Sequence, residues 1–203
     1  MEINNKFPLF ESIRIFNGSP QNIELHEKRM QNAQKQLFGS EGNFSLGSFL
    51  ESYDLPKTGI YKCRLPYGLE FSTPEFILYT KKNILSLRLV DGKDIDYSLK
   101  YADRTKIQIL FEQRNDCDDV LIVRNGLITD TSYCNIVFEN EMGLFTPQNP
   151  LLKGVQRTFL LQQKKIETAI IGVDDIKKYS FFYLINAMIP MEEAIKIRVE
   201  NIV

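Results

Sequence analysis

Residues 118–138 read DDVLIVRNGLITDTSYCNIVF. The runs VLIV and LIT flank Asn125-Gly126, and that dipeptide between strand-forming residues predicts a tight hairpin, because both turn positions need a positive φ. NIVF at 135–138 and GLFTP at 143–147 read as a further strand pair. Strands therefore organise the middle of the C-terminal half, and what surrounds them decides the fold class.

Downstream, the pattern predicts a helix from about Gln156 to Lys165, a strand near AIIG at 169–172, a short helix in VDDIKKY at 173–179 and a buried strand in FFYLI at 181–185. Upstream, Ile107, Leu110, Phe111 and Arg114 place a helix just after Lys100. The N-terminal LFESIRIFNGSP has strand composition and a turn at Asn17-Gly18. In the segment from Asn22 to Gly39, Ile23, Met30, Ala33 and Leu37 recur at helical spacing, with Asn22 suited to cap the start and Gly39 to end the helix in a left-handed conformation. SLGSFLESY at 45–53 predicts a short helix stopped by Pro56. Residues 59–90 alternate in the manner of strands, with turn signals at Pro66 to Gly68, Lys81 to Asn83 and Asp91-Gly92. The reading is an α/β (α+β) protein of two lobes: a small α+β lobe over 1–96 and a larger α/β lobe over 97–203 that carries Lys100, with an ordered hinge near Asp94 to Leu99.

Composition narrows the chemistry. The chain has 203 residues, 43% hydrophobic and 25% charged, enough for a sizeable core. Its 25 Lys+Arg are dispersed against 26 Asp+Glu, which argues against nucleic-acid or membrane partners and for a small-molecule substrate. Cys63, Cys117 and Cys134 are odd in number and lack metal-ligand spacing, as expected of reduced thiols in core packing. His26 is the single histidine, so a multi-histidine metal site is impossible and no metal is expected. The opening MEINNKFPLF has no leader pattern, and FFYLINAMIPM is too short to span a bilayer. A cytoplasmic protein is the expectation.

Lys100, in LKYADR at 99–104, stands between a strand-like run and a helix. By position alone it is an ordinary surface lysine. The order of motifs changes that reading: FESIRI at 10–15, HEKRM at 26–30, LKYADR, the 118–138 stretch, TPQNPLLKGVQR at 146–157 and LINAMIPM at 184–191. Together they resemble the class IV aminotransferase family, the fold type IV pyridoxal-phosphate enzymes that include branched-chain and D-amino-acid aminotransferases and 4-amino-4-deoxychorismate lyase. The resemblance runs over nearly the whole chain, in order.

It implies pyridoxal 5'-phosphate as cofactor and assigns site residues. Lys100 matches the Schiff-base lysine, a primary amine able to bind the cofactor aldehyde and then move a proton at the substrate carbon. Asp130 falls where most relatives carry a glutamate that keeps the pyridine nitrogen protonated; the aspartate is one methylene shorter. Arg29 matches the arginine that reaches the cofactor phosphate. The segment Gly154 to Arg157 opens a helix whose free backbone N–H groups suit a phosphate, with Val155 and Gln156 as cofactor contacts and Gln156 standing where a threonine is usual. Asn186 and Ala187 match the segment that closes the other side of the phosphate. Read without the family, a turn aspartate, a solvated arginine and an asparagine strand cap explain Asp130, Arg29 and Asn186 as well. Relatives also carry an extra N-terminal strand segment, expected to be missing here, and a longer loop after Arg64.

The family scaffold does not choose between elimination and transamination. K-x-x-D-R, with Arg104 four residues after Lys100, lies nearer the lyase pattern. Arg64 and Arg104 would attract a dianionic cyclic substrate, and Ser12 stands where lyases have a hydroxyl that assists proton transfer. The resemblance therefore implies 4-amino-4-deoxychorismate lyase, releasing pyruvate and p-aminobenzoate for folate biosynthesis, with a homodimer as the working form. An aminotransferase acting on branched-chain or D-amino acids and a non-catalytic pyridoxal-phosphate-binding protein are the alternatives.

Overall fold

The computed structural model describes residues 6–42, 44–93 and 95–203. The opening residues 1–5 and the hinge position Asp94 lie outside them. Two compact units emerge: Met1–Thr80 with Leu99–Asp103, and Lys81–Ser98 with Arg104–Val203. This differs from a single boundary at 96/97. The chain leaves the first unit after Thr80, and the segment bearing Lys100 returns to it.

In the first unit, β1 (Leu9–Phe16) turns through Asn17 (φ 48) and Gly18 (φ 83) into β2 (Ser19–Pro20). Then come α1 (Ile23–Phe38), α2 (Leu46–Glu51), β3 (Ile60–Tyr67) and β4 (Glu75–Leu78), with the sheet ordered β2-β1-β3-β4. Because side chains alternate along a strand, Leu9, Ile13 and Ile15 of β1 and Cys63, Leu65 and Tyr67 of β3 form one face, which packs with Met30, Ala33, Leu46 and Leu50 of the helices. The opposite face carries Phe10 and Ser12, whose cross-strand partners are Pro66 and Arg64. The returning segment lies along β1, with Tyr101 bridged to Leu9 and the Phe10 N–H donating to the Lys100 carbonyl at 3.0 Å. Lys100 thereby stands beside Phe10, while Leu99 and Tyr101 join the core.

Helix α1 ends at Gly39 in the left-handed conformation, φ 73, as its sequence requires. Its start differs from expectation. Asn22 is itself left-handed, and its side chain caps nothing. Leu37 also lies outside the core, at 40% exposure, because the buried stripe runs through His26, Met30, Ala33 and Gln34 instead. Two polar residues, His26 and Gln34, therefore lie on the core face.

The second unit opens with β5 (Leu87–Asp91), which pairs in parallel with β6 (Asp119–Arg124) rather than extending the small sheet; α3 (Thr105–Phe111) lies between them in sequence. Next come β7 (Leu127–Thr131), β8 (Asn135–Asn140), β9 (Gly143–Pro147), α4 (Val155–Gln162), β10 (Glu167–Ala169), β11 (Phe181–Ile185) and β12 (Ile197–Arg198). The sheet runs β10-β9-β8-β7-β6-β5, and β11 pairs with β8 and β12. Asn125 (φ 52) and Gly126 (φ 76) form the β6–β7 turn with both residues left-handed, as the opening stretch predicts. VDDIKK forms a 3-10 helix at Val173–Lys178. Among the described residues no helix is long and apolar enough to cross a membrane, and no His, Cys, Asp and Glu group forms a metal-binding cluster.

Candidate active site

The first unit gathers cations on the outer face of its small sheet. Lys100 Nζ lies 4.7 Å from the Phe10 ring centroid, and Arg64 Cζ lies 5.3 Å from the same centroid. Ser12 is directly opposite Arg64 in the β1–β3 register. An amine, a guanidinium and a hydroxyl thus share a surface floored by a ring whose π-face attracts both cations. Arg64 also pairs with Glu75 at 3.3 Å, a solvent-exposed contact that a substrate carboxylate can displace at small cost.

Behind the sheet is a buried ionic cluster. Glu11, fully buried, accepts from Arg29 Nε at 2.9 Å, from an Arg29 terminal nitrogen and from His26 Nδ1 at 2.8 Å. Burial alone would raise the Glu11 pKa, but the attraction of Arg29 and the hydrogen bonds from Arg29 and His26 outweigh it and hold the carboxyl at about 2. His26 moves the opposite way. Its burial, reinforced by the charges of Arg29 and Lys100, keeps the imidazole neutral against the pull of Glu11. A carboxylate can only accept, so His26 donates through Nδ1–H. With His26 neutral, Arg29 is the charge that stabilises Glu11. This accounts for His26 on the core face of α1: it and the part-buried Arg29 are three residues apart and reach one acid. Any phosphate reaching Arg29 meets a guanidinium already held bidentately. Nearby, the Tyr67 hydroxyl is buried without a hydrogen-bond partner, and burial together with the Glu11 charge raises its pKa.

The second unit centres on Asp130, in β7. Its Oδ1 accepts from Asn135 Nδ2 at 2.7 Å and its Oδ2 from the Leu152 N–H at 2.8 Å. Burial raises its pKa to about 6, against the pull of these bonds and of Arg157. An acid so placed is poised to ionise against a cation brought to it. Leu152 belongs to the segment that leads into α4, which begins after Gly154 with no side-chain cap. The first intrahelical bond runs from Thr158 N–H to Gly154 O, so the preceding N–H groups of Val155, Gln156 and Arg157 have no intrahelical partner and suit an anion. The Gln156 side chain is 3% exposed and makes no hydrogen bond among the described residues. Arg157 is committed elsewhere, donating to the Pro147 carbonyl at 2.8 Å and to Thr146 Oγ1 at 3.3 Å, which anchors α4 to β9.

Two other expected residues have local work. Asn186 Oδ1 accepts from the Met188 and Ile189 N–H groups, and its Nδ2 lies 3.1 Å from Cys134 Sγ. It closes the turn after β11, with Ala187 partly exposed at its tip. Arg104 belongs to the second unit, and it donates to the Ser132 carbonyl at 2.6 Å, holding the loop that follows Asp130.

Residues 97–196 match the family of class IV amino-transferases. An uncharacterized protein of Haemophilus influenzae is 37% identical over 184 residues, 90% of this chain and 98% of its own. A crystal structure from Haemophilus somnus, described as a "putative 4-amino-4-deoxychorismate lyase", is 34% identical with a TM-score of 0.84, covering 90% of this chain and 97% of that one. This chain belongs to the class IV aminotransferase family. At 15% identity, a hypothetical aminotransferase from Mycobacterium tuberculosis in its pyridoxal-phosphate-bound form shares the fold alone, with a TM-score of 0.72 over 95% of this chain and 80% of that one.

As a class IV member the chain is a pyridoxal-phosphate-dependent enzyme, and its own residues suit that group. A buried acid with a raised pKa fits a ring nitrogen that must stay protonated. An uncapped α4 terminus with the unpaired Gln156 amide fits a phosphate. Lys100, partly buried beside Phe10, offers a primary amine. The family motifs do not point to Glu11, His26, Tyr67 or Asn135 as functional. The available signals were the three-residue spacing of His26 and Arg29 and the placement of Asn135 at the start of an apolar strand.

Proposed function

We propose that this class IV enzyme is a 4-amino-4-deoxychorismate lyase that releases pyruvate and p-aminobenzoate. The observation that carries the reading is the grouping of Lys100, Arg64 and Ser12 around Phe10 on one sheet face. Bound pyridoxal phosphate supplies the electron sink that acidifies the carbon bearing the substrate amine. Lys100 Nζ removes the proton from that carbon. The ether bond to the enolpyruvyl group opens, the ring becomes aromatic, and the departing group regains one proton as pyruvate. The Ser12 hydroxyl is the neutral group of that set that would relay it. Arg64 exchanges Glu75 for a substrate carboxylate and orients the ring over Phe10. Asp130 in its ionised form keeps the cofactor nitrogen protonated, and the α4 N–H groups hold the phosphate, with Arg29, Asn186 and Ala187 as further contacts.

Aminotransferase activity on branched-chain or D-amino acids is the second reading, and one observation favours it: Arg104 is bound to Ser132, which weakens the lyase reading of K-x-x-D-R. The experiment that separates the two supplies enzymatically generated aminodeoxychorismate in one reaction. A parallel reaction supplies D-alanine or L-leucine with 2-oxoglutarate. Formation of p-aminobenzoate without an added 2-oxo acid supports the lyase. Glutamate without p-aminobenzoate overturns it, and neither product from a cofactor-saturated sample favours a non-catalytic binding protein. We take the working form to be a cytoplasmic homodimer with a small-molecule substrate and neither nucleic acid nor membrane as partner; sedimentation velocity of the purified protein tests the dimer.

A further inference from the structure

The Asn135 side chain touches Asp130, the segment before α4 and the helix-capping glycine together. It is the cross-strand partner of Asp130 in the β7–β8 pairing. Its Nδ2 group donates one hydrogen to Asp130 Oδ1 at 2.7 Å and the other to the Leu152 carbonyl at 2.9 Å. The Leu152 N–H returns to Asp130 Oδ2 at 2.8 Å. These three bonds form a closed ring through one side-chain amide, the backbone N–H and carbonyl of Leu152 and both carboxyl oxygens, so the carboxyl plane cannot rotate without breaking at least one of them. The other end of the amide faces the helix start: a Cβ built on Gly154 would lie 2.0 Å from Asn135 Oδ1. Any side chain at 154 would therefore push on the residue that holds the acid.

We infer that Asn135 is a positioning residue that locks the orientation of the Asp130 carboxyl and ties it to the start of α4, so that the acid and the helix N-terminus present themselves to the cofactor as one rigid element. The device answers a problem posed by the short side chain. An aspartate one methylene shorter than glutamate has less reach with which to correct a misplaced ring, so its direction must be set in advance. Asn135 sets that direction, and Gly154 is the residue that leaves Asn135 room to do so. The inference rests on the reading that Asp130 serves the cofactor nitrogen.

The test uses Asn135→Ala, Asn135→Asp and Gly154→Ala in the full chain. The cofactor-free proteins are titrated by carbon NMR of the Asp130 carboxyl, and pyridoxal phosphate affinity is measured by equilibrium dialysis. Loss of one hydrogen bond to the carboxylate raises the Asp130 midpoint in Asn135→Ala, and a second carboxylate beside it raises the midpoint further in Asn135→Asp. Affinity falls about ten- to a hundredfold in both, and Gly154→Ala, which keeps the amide but displaces it, shifts both readouts in the same direction. A merely structural role would lower the melting temperature and leave the Asp130 midpoint where it was, and that result overturns the inference. Asp130→Ala discriminates the layers: if it leaves cofactor affinity and the spectrum of the bound cofactor unchanged, the cofactor reading of Asp130 fails. If Asp130→Ala changes them while the Asn135 and Gly154 variants do not, the positioning role alone fails. Should Asn135→Ala not fold, Gly154→Ala carries the same measurement.

Discussion

Lys100 and Asp130 owe their chemistry to different physical causes. Lys100 is presented by backbone pairing: its carbonyl is bound by the Phe10 N–H, and its ammonium rests 4.7 Å from the Phe10 centroid. Borohydride reduction of the cofactor-loaded protein is therefore expected to leave a pyridoxyl group on Lys100, read by peptide mapping. An adduct on another lysine contradicts the assignment. Asp130 owes its state to burial, which pushes its carboxyl to about 6. Asp130→Ala is expected to slow turnover by several orders of magnitude while weakening cofactor binding less, because the phosphate contacts proposed at α4 would survive; unchanged steady-state turnover would place the nitrogen's partner elsewhere. Asp130→Glu is expected to be poorly tolerated, since both oxygens of the shorter acid are fitted to Asn135 and Leu152.

Strand β1 separates two environments by its alternation. Its inward residue Glu11 is fully buried and its outward neighbours Phe10 and Ser12 face the cationic group. The Glu11 charge is tolerated only because Arg29 and His26 of α1 satisfy it, which makes the pairing of strand and helix electrostatic as well as apolar. Glu11→Leu leaves Arg29 and His26 without their acid, and the expected loss of stability is about 3–5 kcal/mol in urea unfolding. Combining it with Arg29→Met should recover part of that loss, since the uncompensated buried cation is what makes the single change severe. A double variant no more stable than Glu11→Leu would show that lost packing dominates.

These two acids give the cofactor-free protein a characteristic response to pH. The Glu11 pKa is depressed from 4.5 to about 2, so its contribution, about 3 kcal/mol, is present above 4.5 and is lost as pH falls toward 2. The Asp130 pKa is raised from 3.8 to about 6, so its contribution, also about 3 kcal/mol, is present below 3.8 and is lost as pH rises through 6. Stability from this pair is therefore highest at about pH 4. Urea unfolding across pH should show the upper decline removed in Asp130→Asn and the lower one removed in Glu11→Gln. Saturating pyridoxal phosphate, by bringing a cation to Asp130, is expected to flatten the upper decline in the wild-type protein; persistence of the decline would mean that the acid does not face that cation.

Much of this molecule follows from local pattern. The left-handed pair at Asn125-Gly126, the Gly39 helix end, the strand runs and the order of six motifs are properties of neighbouring residues, because turn geometry and hydrophobic alternation act over a few positions. The same motifs identify Lys100 and Asp130 as the residues to examine. Other features depend on residues far apart in sequence. The return of Leu99–Asp103 to the first unit and the parallel pairing of β5 with β6 are long-range choices that periodicity does not encode. Three side chains show the same limit: Leu37 lies outside, Arg104 turns to Ser132, and Arg29 turns to Glu11. In each case a buried polar group or a packed face competes for the side chain, and the outcome is set by which partner the fold brings within hydrogen-bond reach. Asn135 is the clearest instance. In the chain it is one asparagine before an apolar run, and only the approach of Leu152 and Gly154 from beyond β9 makes it the link between an acid and a helix.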